Sequence, residues 1–156
     1  MTFPGEVLSN DASTIGDALE HSARTARDKP VDQSDAAAIQ AAEVRASGFA
    51  HSGGLTAVTQ SAANLNARAM GVDNKIKLGE ALADASKRLE TDKAVTREDA
   101  EQVTEAEVRN NPDMLVHPGG VASSITAAAR LNQDLSNFWC VTLYWCAYFV
   151  SYICMC

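Results

Sequence analysis

Apolar residues in this chain recur mostly at the three-to-four-residue spacing of a helix. Ile15, Ala18, Leu19, Ala23 and Ala26 trace one stripe behind Thr14, which stands as a helix N-cap with Asp17 three positions on. Asp32, with Asp35 at the third helical position, opens a second helix running through AAAIQAAEVRA to Gly48. After a short loop, Leu55, Val58, Ala62 and Leu65 predict a third helix with one narrow apolar stripe. The same sentence is then written again. Ile15-Gly16-Asp17-Ala18-Leu19 matches Leu78-Gly79-Glu80-Ala81-Leu82, and Asp28-Lys29-Pro30-Val31 matches Asp92-Lys93-Ala94-Val95. Ala42-Glu43-Val44-Arg45 matches Ala106-Glu107-Val108-Arg109, His51-Ser52-Gly53-Gly54 matches His117-Pro118-Gly119-Gly120, and Leu65-Asn66 matches Leu131-Asn132. The second copy's middle helix starts at Thr96 and stops at Asn110-Asn111-Pro112; its last helix carries Val121, Ile125, Ala128 and Leu131.

The pattern predicts an all-α chain of two tandem three-helix repeat units at 14–66 and 77–133, joined by a linker at 67–76 that holds Gly71, Asp73 and Asn74. Residues 1–13 lack apolar periodicity and read as a flexible arm. In both middle helices acids stand at the start and an arginine (Arg45, Arg109) at the end, which suits the helix dipole. Glu43 and Arg45 are two apart, project from different faces and do not form an ion pair within the helix.

Composition narrows the picture. Up to residue 137 the apolar material is largely alanine, with Phe3 and Phe49 the only aromatics, so each helix gains little area on packing and the body is expected to be marginally stable or partly disordered. A net charge of −7 and a pI near 4.8 argue against binding nucleic acid through a basic face. Without a secretory leader or a cysteine in the body, a reducing intracellular compartment is expected.

From residue 134 the style changes. LSNFWCVTLYWCAYFVSYICMC (135–156) has no charged residue and contains both tryptophans, all three tyrosines and all four cysteines. Helical throughout, the part from Phe138 onward reaches roughly 28 Å, close to a bilayer core. It can serve as a tail anchor, though flanking Lys and Arg are missing and the aromatics are not confined to two belts. It can also be a buried helix facing alanine-rich partners. The abrupt change of composition favours a third reading, a segment foreign to the repeat, as an alternative exon or read-through would produce.

Chemistry-bearing candidates are few. His51 and His117 each precede a Gly-Gly pair at a helix start, but neither has a nucleophile or carboxylate partner legible at defined spacing, and loop and cap chemistry is the better account. A ligand-binding or enzymatic module around these two histidines is the alternative. Gly119-Gly120-Val121-Ala122-Ser123-Ser124 lacks the lysine and the preceding strand of a phosphate loop, as does Gly53-Gly54. Cys140, Cys146, Cys154 and Cys156 lack the paired spacing of zinc ligands and read as apolar filler. Tyr144, Tyr148 and Tyr152 share one helix face without implying a cofactor. No catalytic, cofactor-binding or metal-binding residue is predicted.

Two blocks are more specific. DKPVDQSDAAAIQAAEVRASG (28–48) and DKAVTREDAEQVTEAEVRNNPDMLVHPGGVASSITAAARLNQ (92–133) closely resemble the seed maturation protein group of plant late embryogenesis abundant proteins, and the likeness spans nearly all of 14–133. Longer members of that group carry a further N-terminal repeat, so this chain resembles a shorter form, and its segment from Asp134 departs from the group's pattern. The resemblance implies a non-enzymatic role in seed maturation and tolerance of drying, a cytosolic or nuclear location, and client proteins or membranes as partners. It implies no cofactor and no specific nucleic acid. Self-association is expected if the apolar segment is exposed. A tail-anchored protein with an acidic helical cytosolic body is the alternative.

Overall fold

The computed structural model describes the backbone of residues 11–153 and the side chains of residues 11–71 and 73–137. Seven α-helices follow one another among these residues: α1 (Ile15–Thr25), α2 (Gln33–Ser47), α3 (Leu55–Arg68), α4 (Leu78–Ala81), α5 (Ala85–Arg88), α6 (Arg97–Asn110) and α7 (Val121–Ile153), with a 3₁₀ turn at Val72–Asn74. No strand is present among the described residues, only two isolated β-bridges. The all-α class expected from periodicity is what the chain adopts.

The caps stand where the sequence puts them. Thr14, Asp32 and Thr96 each accept from the amide three residues on, and Asp17, Asp35 and Asp99 reach back to complete a capping box. α2 ends at Gly48, whose left-handed backbone (φ 89°) closes the last turn. The second copy differs from the first in its opening helix. The first helix there is split into α4 and α5, with Asp84 between them at φ 59°, a conformation that aspartate tolerates better than most residues. α7 continues past Gln133 without a break.

The two units are intertwined. α2 packs against α6, α3 lies on α2, and α7 lies on α6. The first helix of each unit, however, is given to the other: α1 packs chiefly on α7, α4 and α5 and barely touches α2, while α4 packs on α3. The bridges obey the same pseudo-two-fold rule. Thr14 pairs with Ala94 and Lys77 with Pro30, so each unit's lead-in runs antiparallel to the other unit's Asp-Lys-x-Val segment. Ile15 N–H donates to Lys93 O (2.9 Å) and Leu78 N–H to Lys29 O (2.8 Å); Val95 N–H donates to Ser13 O and Val31 N–H to Ile76 O, both at 3.0 Å.

Small residues let the first helices cross closely. A Cβ on Gly16 would lie 2.8 Å from Ser86 Cα, and one on Gly79 would lie 3.0 Å from Ala23 O and 2.8 Å from Arg27 Cγ. The described core has twelve alanines among its twenty-four residues, with Ile15, Leu19, Ile39, Leu55, Leu78, Leu82, Leu89 and Ile125 as its largest members. Alanine brings helices near one another but buries little area per residue.

The predicted stripe on the third helices is half right. Leu55, Ala62, Val121, Ile125 and Ala128 are buried, but Val58, Leu65 and Leu131 are 37%, 55% and 59% exposed. The inward face of α3 is completed instead by Thr56, Thr59, Ala63 and Asn66. Polar residues take these places because each has a partner there: Thr56 with Glu43, Thr59 with the carbonyl of Leu55, Asn66 with the Val31 and Ile76 backbone.

Candidate functional site

Each histidine–glycine loop is organised around a buried glutamate delivered by the preceding helix. Glu43 is 1% exposed; its Oε1 accepts from His51 N–H (3.2 Å), and its Oε2 accepts from Thr56 N–H (2.8 Å) and from the Thr56 hydroxyl. Glu107, fully buried, does the same for the second copy, accepting from His117 N–H (2.9 Å) and Ala122 N–H (3.0 Å). The first amides of a helix are unsatisfied donors at the positive end of its dipole. Here an internal carboxylate from α2 or α6 satisfies one of them in each copy, Thr56 N–H or Ala122 N–H, and the N-cap Gly54 has no side chain to do so.

Three of these four glycines have a distinct reason to be glycine. Gly53 and Gly119 hold φ of 86° and 73°, in the region other residues rarely adopt. Gly54 must lack a Cβ because one would sit 2.0 Å from Glu43 Oε1. The loop therefore cradles an anion, and that anion is the protein's own. α3 and α7 begin directly after these glycine pairs, as expected of helix starts.

The imidazole rings take no part in that bonding, which uses the backbone amides. Among the described residues, His51 Nε2 has no hydrogen-bond partner; it lies 3.7 Å from Glu90 Oε2, with its ring tilted against Phe49 at a centroid distance of 4.3 Å. His117 Nδ1 is 3.4 Å from Asn111 Nδ2 and 3.8 Å from Glu107 Oε1. Among the described residues, neither ring has a hydroxyl or thiol within hydrogen-bonding distance, so the nucleophile-and-base pairing that covalent catalysis needs is not assembled at either loop.

Among the described residues no group of His, Cys, Asp and Glu is arranged to hold a metal ion. Cys154 and Cys156 lie outside the described residues, as do the side chains of Cys140, Cys146, Tyr144, Tyr148 and Tyr152. Among the described residues, no helix is long and apolar enough to cross a membrane.

Sequence reasoning missed the charge network at the helix starts. Lys29 Nζ lies 2.7 Å from Asp35 Oδ1, and its counterpart Lys93 Nζ lies 2.9 Å from both Asp99 carboxylate oxygens. Asp99 has a second cation that Asp35 lacks: Arg45 Nε donates to its Oδ1 at 2.5 Å from across the α2–α6 contact. Burial pushes both carboxyls up. At Asp99 the bonds from Lys93, Arg45 and Thr96 outweigh it and hold the carboxyl at about 2, against an ordinary 3.8. At Asp35 burial prevails over Lys29 and the carboxyl is raised. Arg45 thus pairs across units, consistent with its having no ion pair to Glu43.

It also missed two asparagines. Asn66 Nδ2 donates to Val31 O (2.9 Å) and Ile76 O (2.8 Å) while its Oδ1 accepts from Ile76 N–H (2.7 Å). Asn132 repeats the set on Val95 O (2.9 Å), Ser13 O (2.8 Å) and Ser13 N–H (2.7 Å). Each side chain staples its own unit's middle segment to the other unit's lead-in. Their signal in the sequence was the matched Leu-Asn pair closing both copies.

A shallow groove of about 670 Å³ runs between α6 and α7, floored by Ala100, Val108 and Ala129. In the first unit, Gln33 bonds Asn64 (3.0 Å) and Gln60 bonds Gln40 (3.2 Å) between α2 and α3.

Fold and site together define an internally duplicated, intertwined helical protein whose repeated polar residues bond its own backbone. The chain belongs to the seed maturation protein family, which matches residues 14–69 and 76–135. It is similar to late embryogenesis abundant protein D-34 of Gossypium hirsutum, 59% identical over 138 residues, covering 87% of this chain and 52% of that protein. Late embryogenesis abundant protein 31 of Arabidopsis thaliana is 62% identical over 124 residues, covering 78% and 47%, and protein 3 of the same plant is 50% identical over 129 residues, covering 81% and 71%. The chain spans about half the length of the first two relatives. No solved structure matches it.

Proposed function

We propose that this chain is a non-enzymatic protectant of the seed maturation type, acting on cellular components as water is withdrawn. The observation that carries this is its likeness, over most of its length, to proteins named for late embryogenesis abundance. The site geometry supports it: the two loops most suggestive of chemistry have their donor groups occupied by Glu43 and Glu107. Client proteins or membranes are the partners in this reading, and cytoplasm or nucleus the location. A core half alanine, with good capping boxes, suits helices whose content rises as competing water is removed.

The test dries a labile client enzyme with the chain and with an inert protein at equal mass, then measures recovered activity, while circular dichroism follows the chain through drying. Greater recovery with this chain and a gain of helical signal are expected. Recovery equal to that of the inert protein overturns the proposal.

A further inference from the structure

We propose that a second copy of this chain is a built-in partner, bound by exchange of repeat units: the first unit of one molecule pairs with the second unit of another. This stands apart from the protective role above. The pseudo-two-fold interface is already a dimer interface in form, because α2 faces α6, the first helices cross each other, and each lies against the other unit's third helix. Each unit leaves its own first helix largely uncovered by its own middle helix, so neither is complete without a complementary unit. The bridges, the Asn66 and Asn132 staples and the Arg45–Asp99 pair all cross between units and are indifferent to whether one chain or two supplies them.

Only one covalent connection separates the two arrangements. α3 ends at Arg68, and the second unit's lead-in is first held at Ile76, by Asn66. Residues 69–75 between them contain an exposed Met70 and a single 3₁₀ turn. Extended, seven residues reach about 23 Å, enough to carry the second unit to a neighbouring molecule. Exchange therefore keeps every inter-unit bond and alters only the hinge, and concentration decides between the forms.

The test uses full-length chains in which Cys140, Cys146, Cys154 and Cys156 are replaced by serine. One chain carries Asp28→Cys and the other Lys77→Cys; these exposed partners lie 3.0 Å apart across the two units, so neither change disturbs the core. The two chains are mixed in denaturant, refolded at micromolar and near-millimolar protein, and treated with a short bis-maleimide. A cross-linked species of twice the mass is expected, rising several-fold at the higher concentration and absent from mixtures carrying the same site in both chains. A second chain with Gly71→Pro and Asn74→Pro, which disfavour the turn, should raise the dimer share several-fold by light scattering. Monomers at every concentration, or dimers that link no better across 28 and 77 than in same-site mixtures, overturn the proposal; so does an unchanged dimer share in the proline chain.

Discussion

Asn132 holds the backbone of Ser13 at both ends of its carboxamide, accepting from the amide at 2.7 Å and donating to the carbonyl at 2.8 Å across 119 residues of sequence. Asn66 does the same to Ile76, so two side chains close the intertwined pair at opposite ends.

Replacing either asparagine by alanine takes the acceptor from the Ile76 or Ser13 amide and the side-chain donor from the Val31 or Val95 carbonyl, while the Ile76 and Ser13 carbonyls keep their bonds from Val31 and Val95 N–H, at a cost of about 1–3 kcal/mol. Asn66 is the more buried of the two, and Asn66→Ala is expected to lower the urea midpoint more than Asn132→Ala. Equal midpoints for both variants and the parent protein would remove the staple from the account.

Stability should fall with acid in a window set by Asp99. Its folded value of about 2 lies below the ordinary 3.8, so its contribution is present above pH 4 and is lost as pH falls toward 2. The size is about 2 kcal/mol. Arg45→Met removes one of the two cations, raises the folded value and flattens that slope. Asp35, raised by burial, works the other way: its contribution is full below 3.8 and declines as pH rises through its folded value. Urea unfolding of both proteins between pH 2 and 5 measures this; parallel slopes would refute the assignment to Arg45.

The histidines should be expendable and the glutamates not. His51→Ala and His117→Ala keep the amides that bond Glu43 and Glu107, and are expected to cost less than about 1 kcal/mol. Glu43→Ala and Glu107→Ala uncap a helix inside the protein and leave two or three donors buried, at about 3 kcal/mol. Thermal melts of the four variants decide the ranking.

The glycine pairs give a finer test. Gly54→Ala drives a methyl into Glu43 Oε1, whereas the same change at Gly120 leaves 3.8 Å to Glu107 Oε1 and meets the His117 carbonyl and Cβ at 3.1 and 3.2 Å. The first should cost about 2–4 kcal/mol and the second about 1 kcal/mol or less. Matching losses would show that the Glu43 cradle has more slack than its geometry implies.

What could be read from the sequence was local. A capping box involves four consecutive residues, so Thr14, Asp32 and Thr96 were legible as helix starts, as was Gly48 as a stop. Period alone assigned Val58, Leu65 and Leu131 to the core, because it counts apolar residues and cannot know that Thr56, Thr59 and Asn66 find partners inside. The break at Asp84 was hidden by the match between Ile15–Leu19 and Leu78–Leu82, which ends just before it. Exchange of the first helices between units was invisible, since an apolar stripe states that it must be covered and not by what. For the loops, the recurrence of Glu43 and Glu107 one helix before each Gly-Gly pair was on the page, but linking them needed the turn geometry.

The alanine-rich core has a practical corollary for anyone watching this protein unfold. Its described interior contains no aromatic ring, and Phe49 is 61% exposed. Both tryptophans and all three tyrosines fall after Asn137. The intertwined body therefore contributes no tryptophan or tyrosine signal in the near ultraviolet. Intrinsic fluorescence reports on the last segment of the chain alone, and an emission change there can occur with the body intact, or fail to occur as the body melts. Amide signals, by far-ultraviolet dichroism or hydrogen exchange, are the channel through which the repeats themselves can be seen.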